Sequence, residues 1–501
     1  MSSLKHKDYF DKFFLKIKIK TMKNLLFIVV IIFTANLTQA QWEATVRLTN
    51  DPALSYTEGC SQRNIASDGD LVHVVWEDER DGNWELYYKR STDGGVSWGA
   101  DTRLTNNLSD SEYPSITVSG AVVHIVWQDD RDGDTEIYYK RSTDGCLSWG
   151  PDTRLTNATD KSYIPSVGVS DSVVSVVWYD YRDGNPEIYY KRSTNGGLNW
   201  STDKRLTNDS ADSYFPSVAV NGSTVSVVWS DKRDMEYVQN KEIYYKRSSD
   251  GGISWGADTR LKNSAGWSDY PCVTASGAFV HAVWQDWRSG LGQVYYKRSA
   301  DGGINWDAEI PLTYSTYESA YASVFSSDSV VHVVWMNYSD IHYKRSTDGG
   351  LSWGQYARLT NYLNLVCPSI TASPSVSVSD SVVHVVWCDR SDAPNYEIYY
   401  KRNPNGGLIG IKESDIVKND INVFPNPASD NITISFSNTG LSKISISIFN
   451  SLGIEIKRFK EMELVGENAI NFSIESFPTG VYYCTLNYGT KKISRSFLVL
   501  R

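Results

Sequence analysis

Residues 122–149 read VVHIVWQDDRDGDTEIYYKRSTDGCLSW. Two short runs in this stretch, VVHIVW and EIYYK, consist mainly of β-branched and aromatic residues, which are typical of strands. Asp and Gly residues (RDGD and TDG) separate and follow the runs, and they favour tight turns. No helical periodicity interrupts the pattern. The stretch therefore predicts consecutive antiparallel strands.

The Trp that ends VVHIVW marks a repeat. It recurs with steps of 51, 51, 51, 55, 51 and 52 residues, at Trp76, Trp127, Trp178, Trp229, Trp284, Trp335 and Trp387. Each unit also carries a short leading strand, an EIYY-like run and a final RLTN-like strand. Four antiparallel strands repeated seven times predict an all-β, seven-bladed β-propeller. An open solenoid of sheets is the alternative.

The two ends of the repeat array favour a closed ring. The seventh unit continues from EIYYKR into NPNGGLIG, without the final Trp and RLTN strand. QWEATVRLTN, residues 41–50, supplies the missing piece, since Trp42 precedes Arg47 by the same spacing that separates Trp98 from Arg103. We expect 41–50 to pair with 397–402 and close the ring, because closure removes exposed strand edges.

A second motif, S-x-D-x-G-x-x-W, follows the EIYY run in six units, at 91–98, 142–149, 193–200, 248–255, 299–306 and 346–353. With this motif in register over residues 41–410, the chain resembles the Asp-box (BNR) repeat proteins of the sialidase superfamily. The resemblance implies a propeller in which the Asp boxes are structural hairpins. The side chain at the third position can cap its own turn. We expect this structural role for Asp93, Asp144, Asn195, Asp250, Asp301 and Asp348.

The N-terminal forty residues predict an export signal. Residues 22–40 combine a Lys, an apolar run and a small-residue end at Ala40, which is the layout of a secretory signal peptide. Met22 is the start that this layout favours, within a leader of 1–40. An N-terminal anchor helix is the alternative. No other segment is predicted to span a membrane after the signal is removed.

The C-terminal region has a different pattern. Following a linker at 411–420, residues 421–501 alternate as strands of a small Ig-like β-sandwich. VFPNPASDNITI and the later PTGVYY resemble the C-terminal sorting domain of type IX secretion substrates. The resemblance implies passage through the periplasm and outer membrane by that machinery, and release or display at the cell surface. An ordinary adhesive Ig-like domain is the alternative.

Charge excludes two partner classes. The chain carries a formal charge of −10, of which the first forty residues contribute about +5 and residues 418–501 about +2, leaving about −17 in the middle. Such a region repels nucleic acid and anionic membranes. The six Cys have no metal-type spacing, and scattered buried thiols are favoured over disulfides.

Three tryptophans have no role in the repeat. Fourteen of the seventeen belong to VVW strands, Asp boxes or the closing strand; Trp84, Trp267 and Trp287 do not. All three fall in connections on the propeller face that carries the longer loops, which we call the loop face. We expect a ligand-binding surface there, formed by these tryptophans with Asp78, Asp129 and Asp180 of the neighbouring turns. The alternative is that the tryptophans cover blade edges.

Neither a metal nor a cofactor is expected. The acidic turns at 78–85, 129–136 and 180–187 lack the Asp-x-Asp spacing of a calcium loop and contain an Arg, so we interpret them as hairpins in which Arg80, Arg131 and Arg182 pair with carboxylates. Five histidines share one repeat position, and a ring keeps them apart. They are interpreted as strand-surface residues: His73, His124, His281, His332 and His384.

Catalysis is the open question. The sialidase resemblance implies three substrate-binding arginines, a Tyr–Glu nucleophile pair and an Asp, on six blades. Most arginines here recur at equivalent repeat positions, the family's Arg-Ile-Pro signature is missing, and Arg63 is the single candidate. We therefore expect a non-catalytic protein that binds glycan or protein ligands at the cell surface, with exo-sialidase activity as the alternative. Irregular loops at 235–241, 336–340 and 388–396 would suit a scaffold for one protein partner.

Overall fold

The structure is a computed structural model that describes residues 42–57, 63–234, 241–262, 266–360, 373–390, 395–406, 422–438, 443–450, 454–459, 462–463, 466–488 and 491–500. The predicted leader and the 411–420 linker lie outside these residues. Ala40–Ile409 form one compact unit, and a second unit contains Gly410–Arg501. Every regular element among the described residues is a strand, and none is a helix that could cross a membrane.

Seven sheets form the first unit; six have four strands and that of the first blade has five, and the strands of each sheet follow one another from the centre outward. The innermost strands are Ile65–Asp68, Ser111–Ser119, Ser162–Ser170, Ser213–Asn221, Ser268–Ser276, Ser319–Ser327 and Ser375–Ser379. The second strands are Leu71–Asp78, Val122–Asp129, Val173–Asp180, Thr224–Asp231, Phe279–Asp286, Val330–Asn337 and Val382–Asp389. In the first blade a separate strand, Ser55–Tyr56, also pairs with the second strand.

The outer half of each blade follows the same order. The third strands are Glu85–Ser91, Glu136–Ser142, Glu187–Ser193, Glu242–Ser248, Gln293–Ser299, Asp340–Ser346 and Glu397–Asn403. The outermost are Thr102–Arg103, Thr153–Arg154, Lys204–Arg205, Thr259–Arg260, Ile310–Pro311, Ala357–Arg358 and, in the seventh blade, Val46–Arg47. The blades are numbered 1 to 7 in this order. The seven-bladed propeller predicted from the repeat is therefore confirmed.

The N-terminal strand closes blade 7 as predicted. Val46 pairs with Tyr400 and Arg47 with Tyr399 in antiparallel register. Arg47 also forms an ion pair with the buried Glu397. Trp42 meets the ring of Tyr343 edge-on, with centroids 4.9 Å apart, as the Asp-box Trp98 meets Tyr400 at 4.8 Å.

The hydrophobic core lies between blades, in seven clusters among the described residues. Between blades 1 and 2, for example, Val75 and Leu86 pack against Ile125 and Trp127. The Trp of each VVW strand is almost fully buried. Every blade therefore depends on both neighbours, which is the packing that a closed ring provides for all seven.

Histidines at the repeated position are buried in these inter-blade cores, so their interpretation as strand-surface residues is wrong. His124 is 1% exposed, and its Nδ1 is 2.7 Å from the hydroxyl of Tyr139. Burial, with a smaller contribution from the charge of Arg141, lowers the pKa of His124 to about 4. Ser175 takes the same place in blade 3, where its hydroxyl meets that of Tyr190.

The Asp-box turns lie on the face opposite the loop face. Asp93 accepts hydrogen bonds from Ser91 Oγ at 2.7 Å and from the amide of Ser97 at 2.8 Å. Gly95 has φ of +83°, and a Cβ there would lie 1.9 Å from the hydroxyl of Tyr400 in blade 7. Close inter-blade contact as well as the turn thus favours glycine at this position, although Cys146 takes it in the Asp box of blade 2 with φ of +63°.

The C-terminal unit is a β-sandwich. One sheet contains Asn422–Phe424, Asn431–Asn438 and Gly466–Ser473. The other contains Glu455–Arg458, Lys443–Asn450, Gly480–Tyr488 and Lys491–Val499, with Met462–Glu463 pairing at its edge. Residues from both sheets, including Ile432, Ile448 and Phe497, form one core. The four described cysteines are buried: Cys146, Cys272, Cys388 and Cys484.

Candidate functional site

Two of the three tryptophans outside the repeat meet on the loop face. Trp267 ends the link from blade 4 to blade 5, and Trp287 begins the turn after the second strand of blade 5. Their rings stack with centroids 4.7 Å apart and an interplanar angle of 19°. The amide of Trp287 donates to the carbonyl of Trp267 over 2.9 Å, which fixes the two loops together.

Gly266 permits this approach. Its φ is +102°, and a Cβ at this position would lie 2.7 Å from the Cα of Arg288. Trp267 remains 37% exposed, so part of the pair is accessible from solvent. Trp84 is not part of this pair; it lies in blade 1, beside Tyr56 at 5.6 Å.

Lys241 connects the tryptophan pair to neighbouring aromatics. Its Nζ lies 5.1 Å from the ring of Trp267 and 5.4 Å from that of Phe215. It also donates to Asp269 Oδ2 over 2.6 Å, and this carboxylate is fully buried. The ammonium group is therefore held against aromatic faces with its charge already balanced.

A row of aromatic side chains continues from this point along the loop-face ends of the innermost strands and, at Tyr179, of a second strand. We call it the aromatic row, and all its members are half-buried: Tyr179, Tyr214, Phe215, Tyr270 and Tyr321. Neighbouring rings are in contact across three blade boundaries, with Tyr179–Tyr214 at 5.4 Å, Phe215–Tyr270 at 4.9 Å and Tyr270–Tyr321 at 5.3 Å.

Three members of the row have an unusual backbone. Phe215, Tyr270 and Tyr321 have φ between +52° and +53°, each within a β-bulge of its inner strand. Such angles are rare for bulky residues, and bulges redirect side chains next to functional sites. Sequence analysis missed this row. Its only signal is an aromatic residue before Pro or Ala in SYFP, SDYP and SAYA.

The three aspartates expected to bind ligand do not do so in this geometry. Asp129 is 0% exposed, and its carboxylate accepts from Arg131 Nε at 2.7 Å, Trp127 Nε1 at 2.8 Å and Ser111 Oγ at 2.8 Å. Asp78 and Asp180 have the same surroundings in blades 1 and 3. Because every oxygen faces the protein interior, these residues are structural, and the ligand-binding role predicted for them is wrong.

The arginine at each turn completes a charged cluster. Arg131 NH1 also reaches Asp152 of the outer strand, at 2.7 Å, and Asp152 pairs with Lys140 at 2.9 Å. In blade 1, burial opposes ionisation of Asp78, but hydrogen bonds from Arg80, Trp76 and Ser55 outweigh it, so its pKa is lowered. We call this Asp–Arg–Asp–Lys arrangement the charged cluster of a blade.

Arg63 lies in the central channel. This channel has a volume of about 210 Å³ and is lined by inner-strand residues of all seven blades. The guanidinium of Arg63 crosses from blade 1 and donates to the carbonyl of Val273 in blade 5 over 2.7 Å. Within the described residues, no group of three or more His, Cys, Asp or Glu side chains is arranged to hold a metal ion.

Two parts of the chain match known domains. Residues 176–386 match the BNR repeat-like domain, and residues 422–500 match the secretion system C-terminal sorting domain. This chain is a BNR-repeat β-propeller with a C-terminal sorting domain. The BNR-repeat propeller is accordingly secreted or held at the outer-membrane surface. A comparison with curated protein sequences gives no match.

Solved structures similar to the BNR-repeat propeller include several carbohydrate-active enzymes. Polysaccharide lyase Uly1 is 12% identical with a TM-score of 0.48, over 74% of this chain and 99% of that chain. An α-L-arabinofuranosidase of Fusarium graminearum, solved with arabinobiose, is 14% identical with a TM-score of 0.42, over 59% and 93%. The Trypanosoma rangeli sialidase solved with the inhibitor DANA is 10% identical with a TM-score of 0.41, over 80% and 86%.

Proposed function

We propose that the BNR-repeat propeller binds carbohydrate on its loop face without cleaving it, at the surface formed by Trp267, Trp287 and the aromatic row. The observation that carries the proposal is the stacked, partly exposed tryptophan pair with Lys241 against its face. Pyranose rings present an apolar C–H face between polar edges, and a flat aromatic surface with a few polar groups complements both.

The state of the nearby charges supports binding over catalysis. Glycoside hydrolysis needs a pair of acidic side chains on either side of the scissile bond. Near the aromatic row, Asp269 pairs with Lys241 at 2.6 Å and Asp212 with Lys232 at 2.8 Å. Arg63, the one catalytic candidate, is bonded to a backbone carbonyl across the channel. These groups are balanced within the protein, which favours a static binding surface.

A glycan array probed with the full chain tests the proposal. For a glycan that binds, Trp267→Ala should weaken the dissociation constant about tenfold, which corresponds to about 1.4 kcal/mol. Tyr483→Ala is the matched control, because Tyr483 is also a partly exposed aromatic (44%) but lies in the C-terminal unit. Unchanged affinity in Trp267→Ala would exclude this surface.

Assays of the same sample with fluorogenic sialosides and arabinofuranosides address the alternative. We expect no turnover. Turnover that disappears in Arg63→Ala would instead establish a glycoside hydrolase. An array without any bound glycan, together with silent hydrolysis assays, would replace the carbohydrate proposal with a protein-interaction scaffold.

A further inference from the structure

Blade 6 lacks the charged cluster that is complete in blades 1 to 4 and that has Glu309 as its outer-strand acid in blade 5. The buried aspartate of the cluster is replaced by Asn337, and the turn that carries the arginine is shortened, since Asn337 pairs directly with Asp340. The outer-strand acid, Asp152 in blade 2, corresponds to Tyr356. The Tyr beneath the arginine, Tyr138 in blade 2, corresponds to His342.

Two polar groups lose their acidic partner as a result, the buried indole of Trp335 and the half-buried ammonium of Lys344. Trp335 is 2% exposed, and its Nε1 has no hydrogen-bond acceptor in the described part of the chain, whereas Trp127 Nε1 donates to Asp129 over 2.8 Å. Lys344 donates to the carbonyl of Leu312 over 3.0 Å but pairs with no carboxylate among the described residues. An unpaired buried donor and an unbalanced half-buried cation both cost free energy.

The same replacements open a cavity. It has a volume of about 460 Å³, and we call it the blade-6 groove; the side chains that matter here are Trp335, Asn337, His342, Lys344, Tyr314 and Tyr356. Tyr314 is 86% and Tyr356 is 60% exposed, so aromatic faces form its mouth. The ring of His342 stacks on that of Tyr356 at 5.1 Å and contacts Trp335 at 5.7 Å.

We propose that the blade-6 groove binds an acidic sugar, with the carboxylate of a hexuronic acid beside Lys344, where blade 2 has the outer-strand acid Asp152. The ammonium of Lys344 lines the cavity and supplies the positive charge that such a carboxylate needs. Charge-assisted hydrogen bonds of this kind are roughly twice as strong as neutral ones.

The rest of the ligand is identified by the mouth of the groove. Tyr314 and Tyr356 offer flat apolar faces to the C–H side of a pyranose ring, which a bare carboxylate would not use. Because the middle of the chain carries about −17, a strongly anionic polymer would be repelled. A single acidic residue within an otherwise neutral glycan therefore fits best. This site shares no residue with the aromatic row and does not rest on the function proposed for it.

Calorimetric titration of the full chain with methyl glucuronide and with methyl glucoside tests the site. We expect the acidic sugar to bind at least tenfold more tightly than its neutral counterpart, since only the first supplies the missing carboxylate. Equal affinity for the two would overturn the proposal, and acetate binding as tightly as the glucuronide would overturn its sugar component.

Two variants and a control locate the binding. Tyr356→Asp restores the acid found in blade 2, at an exposed position, and should abolish binding by pairing with Lys344. Lys344→Met should also abolish it. Lys140→Met, the equivalent change in blade 2 where Asp152 balances the charge, should leave affinity unchanged. Binding that survives both blade-6 variants, or is lost in Lys140→Met, would contradict the assignment, whereas Trp267→Ala should have no effect here.

Discussion

Blade 2 and blade 6 share one strand plan and differ in how their outer halves are filled. In blade 2, Asp129, Arg131, Asp152 and Lys140 satisfy one another and close the space between strands. In blade 6, Asn337, His342 and Tyr356 leave a cavity with an unsatisfied indole N–H. The comparison teaches that the ring tolerates the loss of the charged cluster in blade 6, where the vacated space becomes available to a ligand.

The largest effect on stability is expected when the charged cluster is disrupted in blade 2, where it is complete. Asp129→Asn leaves the guanidinium of Arg131 without its buried partner, so we expect the free energy of unfolding to fall by roughly 3 kcal/mol. The measurement is urea unfolding of the full chain, followed by tryptophan fluorescence.

Asn337→Ala is the matched change in blade 6. It removes a hydrogen bond to Ser319 Oγ of 3.0 Å, and we expect a loss of only about 1 kcal/mol. Equal losses in the two variants would mean that the carboxylate of Asp129 contributes no more to the free energy of unfolding than the amide of Asn337 does.

A second prediction concerns the buried histidine that blades 2 and 6 have in common. Burial, helped by a nearby Arg, lowers the pKa of His124 to about 4 and of His332 to about 3. In the unfolded chain each of these histidines has a pKa near 6.5. Between the folded-state pKa and pH 6.5, the unfolded chain therefore binds more protons than the folded chain. Each His therefore reduces stability as pH falls below about 6.5, by about 1.4 kcal/mol per pH unit.

His124→Ser should remove one such contribution, because Ser occupies this position naturally in blade 3, where Ser175 meets Tyr190 at 3.0 Å. Unfolding free energies of the variant and the parent, compared at pH 7 and pH 5, give the difference in slope. Parallel pH dependences would show that His124 is not held neutral in the folded state.

The smallest effect on stability is expected when the missing acid is added to blade 6. Tyr356→Asp returns to blade 6 the acid that neutralises Lys140 in blade 2. Without ligand, we expect the variant to gain about 0.5 kcal/mol of stability from a partly exposed ion pair with Lys344. A rise in the urea midpoint at constant slope measures this gain. A lower midpoint would indicate that Lys344 cannot reach the new carboxylate.

The sequence predicted the parts of the molecule that repeat. Seven VVW strands and the spacing between Trp42 and Arg47 determined the blade number and the closing strand, because both are properties of periodicity. The aspartates were misassigned for a physical reason: sequence places Asp129 beside a loop but does not show that Trp127, Arg131 and Ser111 all donate to it.

The candidate sites were harder to predict because they depend on contacts between units. Trp267 and Trp287 were identified as tryptophans outside the repeat, but their stacking requires the close approach at Gly266. The aromatic row depends on a left-handed backbone at residues such as Tyr270, which no pattern of apolar residues reports. For blade 6, the irregular stretch 336–340 and Tyr356 were visible in the sequence, whereas the unpaired Trp335 was not.

The strand that closes the ring has a consequence for how the protein matures. Arg47 and its partner Glu397 are separated by 350 positions in the chain, so the first strand of the propeller has nothing to pair with until nearly all of it has been made. A polypeptide that is interrupted or cleaved before this point keeps two open sheet edges, which invite aggregation and proteolysis. Ring closure thus distinguishes complete from incomplete chains, because only a complete propeller can pair both of its terminal strands.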